Sequence, residues 1–368
     1  MKLYVIYGGK NAEHEVSVKS AFSILQNIYY ESYTVIPVYI TRDGNWYRGT
    51  EVDSRDTVQS KASMVDLESK TPFSFNELLE GETVAFPVLH GPNGEDGTIQ
   101  GLFETLDIPY VGSGVLSSAI GMDKLISKSV FKEAGLSVLP YKEVKLRDWK
   151  VNQSDVCAAI EAEITYPMYV KPVNQGSSVG ITRALNAEEL SEAIELAFNY
   201  DYRIVVEKGV PVREIEVAIL GNEDVHTSVP GELIKQKPFY AYEDKYLNQK
   251  VVREIPAKLS SELTKKVRKM AADAFEAING SGISRADFFL AEDGEIYINE
   301  VNTFPGFTSN SMYPKVWEKT GISYADLIEE VIQLGIRRHK DKYKMSTEVT
   351  TEDDSIEMES INAEVDTK

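Results

Sequence analysis

Between Ser284 and Ser311 the chain reads SRADFFLAEDGEIYINEVNTFPGFTSNS, a stretch whose residue types point to chemistry before any fold is assigned. Asp293-Gly294 lies between two alternating runs, the short-range signature of a hairpin. A two-residue turn there predicts Ala291 opposite Ile296, Phe289 opposite Ile298, Asp287 opposite Glu300 and Arg285 opposite Asn302. A period of two then gathers Arg285, Asp287, Glu300 and Asn302 on one face. Two carboxylates facing each other repel unless something positive lies between them. Asp, Glu and Asn offer oxygen ligands, the set a hard cation such as Mg²⁺ takes. On these residues alone the alternative is a solvated sheet face that tolerates an acidic pair.

Other chemistry-bearing residues stand where strands should end. Lys2–Tyr7 reads as a buried strand running into Gly8-Gly9. A helical stripe of Val18, Phe22, Leu25 and Ile28 follows, then a strand over Tyr33–Ile40. This is a βαβ pattern, whose first loop lies at the ligand-facing sheet edge. Glu15 in that region is a carboxylate able to bind an ammonium, and Ser17 reads as a helix N-cap. A second strand, Thr83–Leu89, leads into His90 and a glycine-rich loop to Gly97. His90 is either a structural histidine or a ligand contact. A helical segment over Gly121–Leu136 carries Asp123-Lys124 near its start. Lys171 ends a strand over Tyr166–Pro172, and the Gly/Ser loop to Gly180 suits backbone N–H groups around phosphate oxygens. No Walker A pattern and no G-x-G-x-x-G fingerprint is present. In Arg213–Leu220, alternation separates Glu214, Glu216 and Ala218 from Ile215, Val217 and Ile219. Gly231–Lys250 has no clear period and reads as a long functional loop.

The elements that carry these residues belong to a chain of 368 residues, long enough for two or three domains. A net charge of −19 argues against a nucleic-acid partner. The single Cys157 excludes an intrachain disulfide. The N-terminus lacks the apolar region of a signal peptide, and no apolar run reaches membrane-spanning length, so a soluble cytoplasmic protein is expected. After about His339 the apolar pattern fades into an acidic tail that reads as disordered.

Taken in order, these pieces resemble the ATP-grasp superfamily and, within it, the D-alanine–D-alanine ligase family. The likeness runs through Gly8-Gly9 with Glu13–Ser17, Leu89–Gly97, Met122–Lys124, Val170–Pro172 with Gly176–Gly180, Lys245-Tyr246, Arg285–Asp287 and Asn299–Gly306 to Ser311. The resemblance implies a three-domain ATP-grasp α/β fold, with an N-terminal α/β substrate domain over 1–112 and a central domain over 113–206. A catalytic domain over 207–340 and the acidic tail over 341–368 complete it. It implies an ATP-dependent ligase that joins two D-alanines through a D-alanyl phosphate, with ADP and phosphate released.

By the same resemblance, Asp287, Glu300 and Asn302 would hold two Mg²⁺ ions, or Mn²⁺ in their place, with Glu300 bridging. Lys124, Lys171, Glu207 and Glu214 would bind ATP. Glu15 would take the ammonium of the first D-alanine, with His90 nearby, and Arg285 with the Gly306 N–H would form an oxyanion hole. Ser311 and Lys245 would take the second carboxylate, while Ser177 and Tyr246 would tie loops over the closed site. Tyr246 favours the dipeptide over a D-alanine–D-lactate ligase, the main alternative alongside another ATP-grasp carboxylate–amine ligase. Gly209 departs from relatives that carry an aromatic near the adenine. A homodimer with no membrane partner is the family expectation.

Overall fold

In the computed structural model the described residues are 1–58, 60–234 and 252–342. The first unit contains β1 (Lys2–Gly8), α1 (His14–Leu25), β2 (Thr34–Ile40), β3 (Trp46–Arg48), α2 (Lys61–Val65), β4 (Thr71–Pro72), β5 (Thr83–Val88) and α3 (Thr98–Thr105). Its sheet order is β4-β3-β2-β1-β5, with β1 parallel to both β2 and β5. The near-continuous apolar run of β1 follows from burial on both faces. Leu3, Val5 and Tyr7 enter one core, and Tyr4 and Ile6 another. Ser17 is not the helix cap. It lies within α1, where its Oγ accepts from Gly8 N–H (2.8 Å) and donates to the Val88 carbonyl, tying two strand ends together.

Two helices, α4 (Val115–Met122) and α5 (Lys124–Glu133), replace the single helix expected over 121–136. Asp123 breaks them, because its carboxylate accepts from Leu125 and Ile126 N–H (both 3.0 Å) and caps α5. Phe131 and Leu136 pack into the core of the third sheet, although the expected division places this segment in the central domain over 113–206.

The central unit comprises β6 (Tyr141–Lys145), α6 (Leu146–Val151), α7 (Gln153–Glu161), β7 (Met168–Pro172), β8 (Thr182–Ala184), α8 (Ala187–Ala197) and β9 (Arg203–Lys208). Its four-stranded antiparallel sheet is ordered β6-β9-β7-β8. Leu190, Ala193, Ile194 and Ala197 form the apolar stripe of α8 against it. The boundary expected after 206 falls inside β9, which carries Glu207.

The third unit holds β10 (Val212–Gly221), β11 (His226–Thr227), β12 (Gly231–Ile234), β13 (Val252–Glu254), α9 (Ser261–Ala277), β14 (Gly282–Ala291), β15 (Ile296–Asn302), α10 (Met312–Thr320) and α11 (Tyr324–Lys342). The sheet order is β13-β12-β10-β14-β15, with β11 beside β10. Ile215, Val217 and Ile219 pack under α9, while Ala218 and Leu220 enter the core shared with the first sheet and α11. That shared core fixes the first unit on the third. Gly231–Ile234, expected as loop, is strand β12; the rest of that loop to Lys250, with Lys245 and Tyr246, and the tail from 343 lie outside the described residues.

The β14–β15 hairpin differs from the expected register at one end only. The turn spans three residues, Glu292 to Gly294, closed by Gly294 N–H to Ala291 O and Ala291 N–H to Glu295 O. Gly294 takes the left-handed conformation (φ 86°) that this turn requires. Phe289 therefore faces Tyr297, not Ile298, and Leu290 faces Ile296. A bulge at Asn299 inserts one residue between Ile298 and Glu300 and restores the pairing of Asp287 with Glu300 and Arg285 with Asn302.

Candidate active site

A cavity of about 1020 Å³ opens between the central and third sheets and reaches the start of α1 and the loop after β5. On its central-sheet side lies a buried charge cluster. Glu207 Oε2 accepts from Lys171 Nζ (2.6 Å), and Glu207 Oε1 lies 3.0 Å from Lys128 Nζ. Burial alone would raise the Glu207 carboxyl, but the two ammonium groups overcome it and hold it near 2. Nothing in the sequence singles out Lys128, which is four residues after Lys124 and looks like any solvated helix lysine, yet it is 1% exposed. Lys124 Nζ donates to Gln175 O (2.6 Å) and Val173 O (3.4 Å), at the root of the Gly/Ser loop. Burial lowers the ammonium pKa of both Lys124 and Lys128. Glu214 also lines the cavity.

Because Glu207 titrates below its ordinary 4.5, its contribution is full above that pH and is lost as pH falls towards 2. Glu207→Gln leaves two buried ammonium groups without their carboxylate and is expected to cost about 3–5 kcal/mol at neutral pH. Urea unfolding should show this loss at pH 7 and a smaller one at pH 3, with part of it recovered by adding Lys128→Met.

At the opposite end the structure corrects one expected residue. Glu15 does not reach the cavity: its side chain is 64% exposed and pairs with Arg42 at 2.8 Å. Glu13 lines the cavity instead, 7% exposed, and accepts from Ser177 Oγ. α1 begins at His14, so Glu13 is its N-cap residue at the cavity edge, whereas Glu15 lies on the first turn and points to solvent beside Arg42. A Cβ on Gly91 would lie 2.2 Å from Glu13 Oε2, and one on Gly176 2.7 Å from it. Both glycines are therefore required by the inward carboxylate. Two loops distant in sequence converge on it.

His90 lines the same end, with Nδ1 3.2 Å from Phe304 O and Nε2 3.0 Å from Ser20 Oγ. Burial depresses it to about 4, so the ring is neutral, with Nδ1–H donating and Nε2 accepting. Its nitrogens brace the turn that leads to Gly306. Beside it Glu95 accepts from Gly91 N–H (2.8 Å), and burial together with the Glu13 charge raises it to about 8.

The third wall is the hairpin. Arg285 donates from Nε and Nη2 to the two oxygens of Asp287, both at 2.6 Å, and Asn302 donates to Asp287 Oδ2 at 3.0 Å. The guanidinium supplies the positive group that the opposed carboxylates need. Burial works against the Arg285 charge, but Asp287 and Glu216 raise its pKa above the ordinary value. Because of the bulge, Asn299 and Glu300 both line the cavity, and Asn299 Oδ1 lies 3.4 Å from Lys171 Nζ. The bulge thus joins the acidic wall to the lysine wall.

Gly306 lines the cavity as expected, whereas Ser311 is absent from the lining. Ser311 Oγ accepts from Thr308 N–H (3.1 Å) and lies 2.8 Å from Thr308 Oγ1, one layer behind Gly306. Among the described residues no three His, Cys, Asp or Glu side chains form a ready-made metal cluster. The hairpin nevertheless offers oxygen donors from the directly paired Asp287 and Glu300 and from Asn302, which bonds Asp287, and the chemistry of this set fits a hard divalent cation.

A family model described as "D-ala D-ala ligase N-terminus" matches residues 2–113, and one described as "D-ala D-ala ligase C-terminus" matches 130–333. The D-alanine–D-alanine ligase of Enterococcus hirae is 49% identical over 346 residues, covering 92% of this chain and 97% of that protein. The one from Enterococcus faecalis is 48% identical, with 92% and 100% covered. Among solved structures, the D-alanine-D-alanine ligase from Coxiella burnetii superposes with a TM-score of 0.81 at 32% identity, covering 94% of this chain and 96% of that one. The VanG D-Ala:D-Ser ligase from Enterococcus faecalis gives 0.80 at 36% identity, with 91% and 99% covered.

Proposed function

The chain belongs to the D-alanine–D-alanine ligase family, and from that premise we propose how its residues carry the reaction. The activity is that of an ATP-dependent ligase with the ATP-grasp fold, joining two D-alanines for peptidoglycan synthesis with release of ADP and phosphate. One observation supports the residue assignment most: two lysines, an arginine and an opposed carboxylate pair converge on a single cavity.

Lys124 and Lys171 contact the ATP phosphates, and Glu214 faces the ribose. Glu207, with an oxygen toward each of Lys128 and Lys171, acts by fixing the Lys171 ammonium. Asp287, Glu300 and Asn302 would hold two Mg²⁺ ions, or Mn²⁺, which when bound neutralise charge on the transferring γ-phosphoryl. Glu13, in place of Glu15, takes the ammonium of the first D-alanine, braced by Ser177 and with His90 and Glu95 behind it. The first carboxylate accepts the phosphoryl group, the second amine attacks the acyl phosphate, and phosphate departs. Arg285 and the Gly306 N–H stabilise the oxyanion that develops. Lys245 binds the second carboxylate, Ser311 supports the Gly306 turn from behind through Thr308 N–H, and Tyr246 joins Ser177 in closing the site against water. The same reading makes the working form a cytoplasmic homodimer. No described helix is long and apolar enough to cross a membrane.

Phosphate release with ATP, Mg²⁺ and D-alanine, products identified by mass, tests the activity. D-alanyl-D-alanine should dominate even when D-lactate is added. A dominant depsipeptide would overturn the assignment of Tyr246 to dipeptide selection.

A further inference from the structure

Arg285 has two carboxylates within reach of one donor. Its Nε–H is donated to Asp287 Oδ1 at 2.6 Å, and Glu216 Oε2 stands 3.1 Å from the same nitrogen. Glu216 is 5% exposed, lines the cavity and pairs with Asp287 across β10 and β14, as Asp287 pairs with Glu300 across β14 and β15. Three carboxylates therefore lie abreast on three adjacent strands. Such a row is held together only by positive charge, and like charges opposite one another otherwise destabilise a sheet.

An Nε–H carries one proton and makes one good hydrogen bond at a time. A carboxylate that turns to a divalent cation gives up its donors, since the cation and the guanidinium compete for the same lone pairs. We infer that Glu216 is a positioning residue, the alternate acceptor that keeps Arg285 in place when Asp287 turns from the guanidinium to a divalent cation. The inference rests on the metal and oxyanion roles proposed above for Asp287 and Arg285. Without Glu216, Arg285 has only Asp287 to hold it among the two carboxylates near its Nε. Cation binding must then either break that pair uncompensated or draw Arg285 away from the reacting carbonyl.

Mn²⁺ binding in the presence of ADP, followed by electron paramagnetic resonance, tests this without turnover. Glu216→Gln keeps the shape and is expected to weaken Mn²⁺ binding about tenfold, the scale of one charge-assisted hydrogen bond. Glu216→Asp, which keeps the charge, should recover part of that loss. In an Arg285→Met background Asp287 has no guanidinium to release, so the further change Glu216→Gln should no longer matter. Equal Mn²⁺ binding by Glu216→Gln and the unmodified chain overturns the inference. An equal weakening in both backgrounds also overturns it, because Glu216 would then touch the cation itself. Absence of bound Mn²⁺ in the unmodified chain defeats the underlying metal reading and the inference with it.

Discussion

Glu13→Gln is expected to lower kcat/KM for D-alanine about a hundredfold, whereas Glu15→Gln should leave it within about twofold, a contrast of roughly 3 kcal/mol from removing one partner of a buried charge pair. The two acids are two residues apart, and everything separating them is geometry. Glu13 is almost fully enclosed by Gly91, Gly176 and Ser177, so an ammonium meeting it is desolvated and the pair is strong. Glu15 sits in water beside Arg42, where an ion pair contributes little. Steady-state kinetics over D-alanine concentration decide the matter, with the loss expected mainly in KM for the first D-alanine. The pH profile gives a second readout. Glu95 is raised to about 8 by burial and then by the Glu13 charge, so Glu13→Gln should move any limb due to Glu95 to lower pH. A Glu15→Gln variant as impaired as Glu13→Gln would reverse the assignment.

The case of these two acids shows what sequence alone carries. Alternation in β14 and β15 is legible because one face of each strand is buried, and it places Arg285, Asp287, Glu300 and Asn302 on one face. The turn is one residue longer than Asp293-Gly294 alone predicts. The bulge at Asn299 offsets that shift before Asp287 is reached, so the site pairing came out right through an irregularity that alternation does not reveal. Choosing between Glu13 and Glu15 depends on where α1 begins, and helix ends are the least determined part of any pattern. The burial of Lys128 and Glu216 is not legible for a different reason. Each is a charged residue on a regular element, ordinarily solvated, and only the approach of another strand or sheet makes it buried. Periodicity groups Glu216 with Glu214 on one face of β10, the one sequence signal that points to it.

Glu300→Gln is expected to have the largest effect, reducing turnover by about a thousandfold or more while leaving the fold intact, since one metal-directed charge in a preorganised site represents several kcal/mol of transition-state stabilisation. The substitution changes no volume and leaves Ile296, Ile298 and Val301, the residues that seat β15 in its core, untouched. It also removes one of two carboxylates that face each other across the β14–β15 pair, a repulsion of about 0.2–1 kcal/mol, together with the attraction of Glu300 for Lys124 and Arg285 that offsets it. Stability should therefore change little as activity collapses. That opposition separates a functional acid from a structural one, because losing a structural acid lowers both together. Thermal unfolding and phosphate release on the same preparation measure the two sides. A variant that turns over at near-normal rate would show that the acidic face is an ordinary sheet surface. A variant that loses activity only in proportion to lost folded protein would show that Glu300 acts through stability alone.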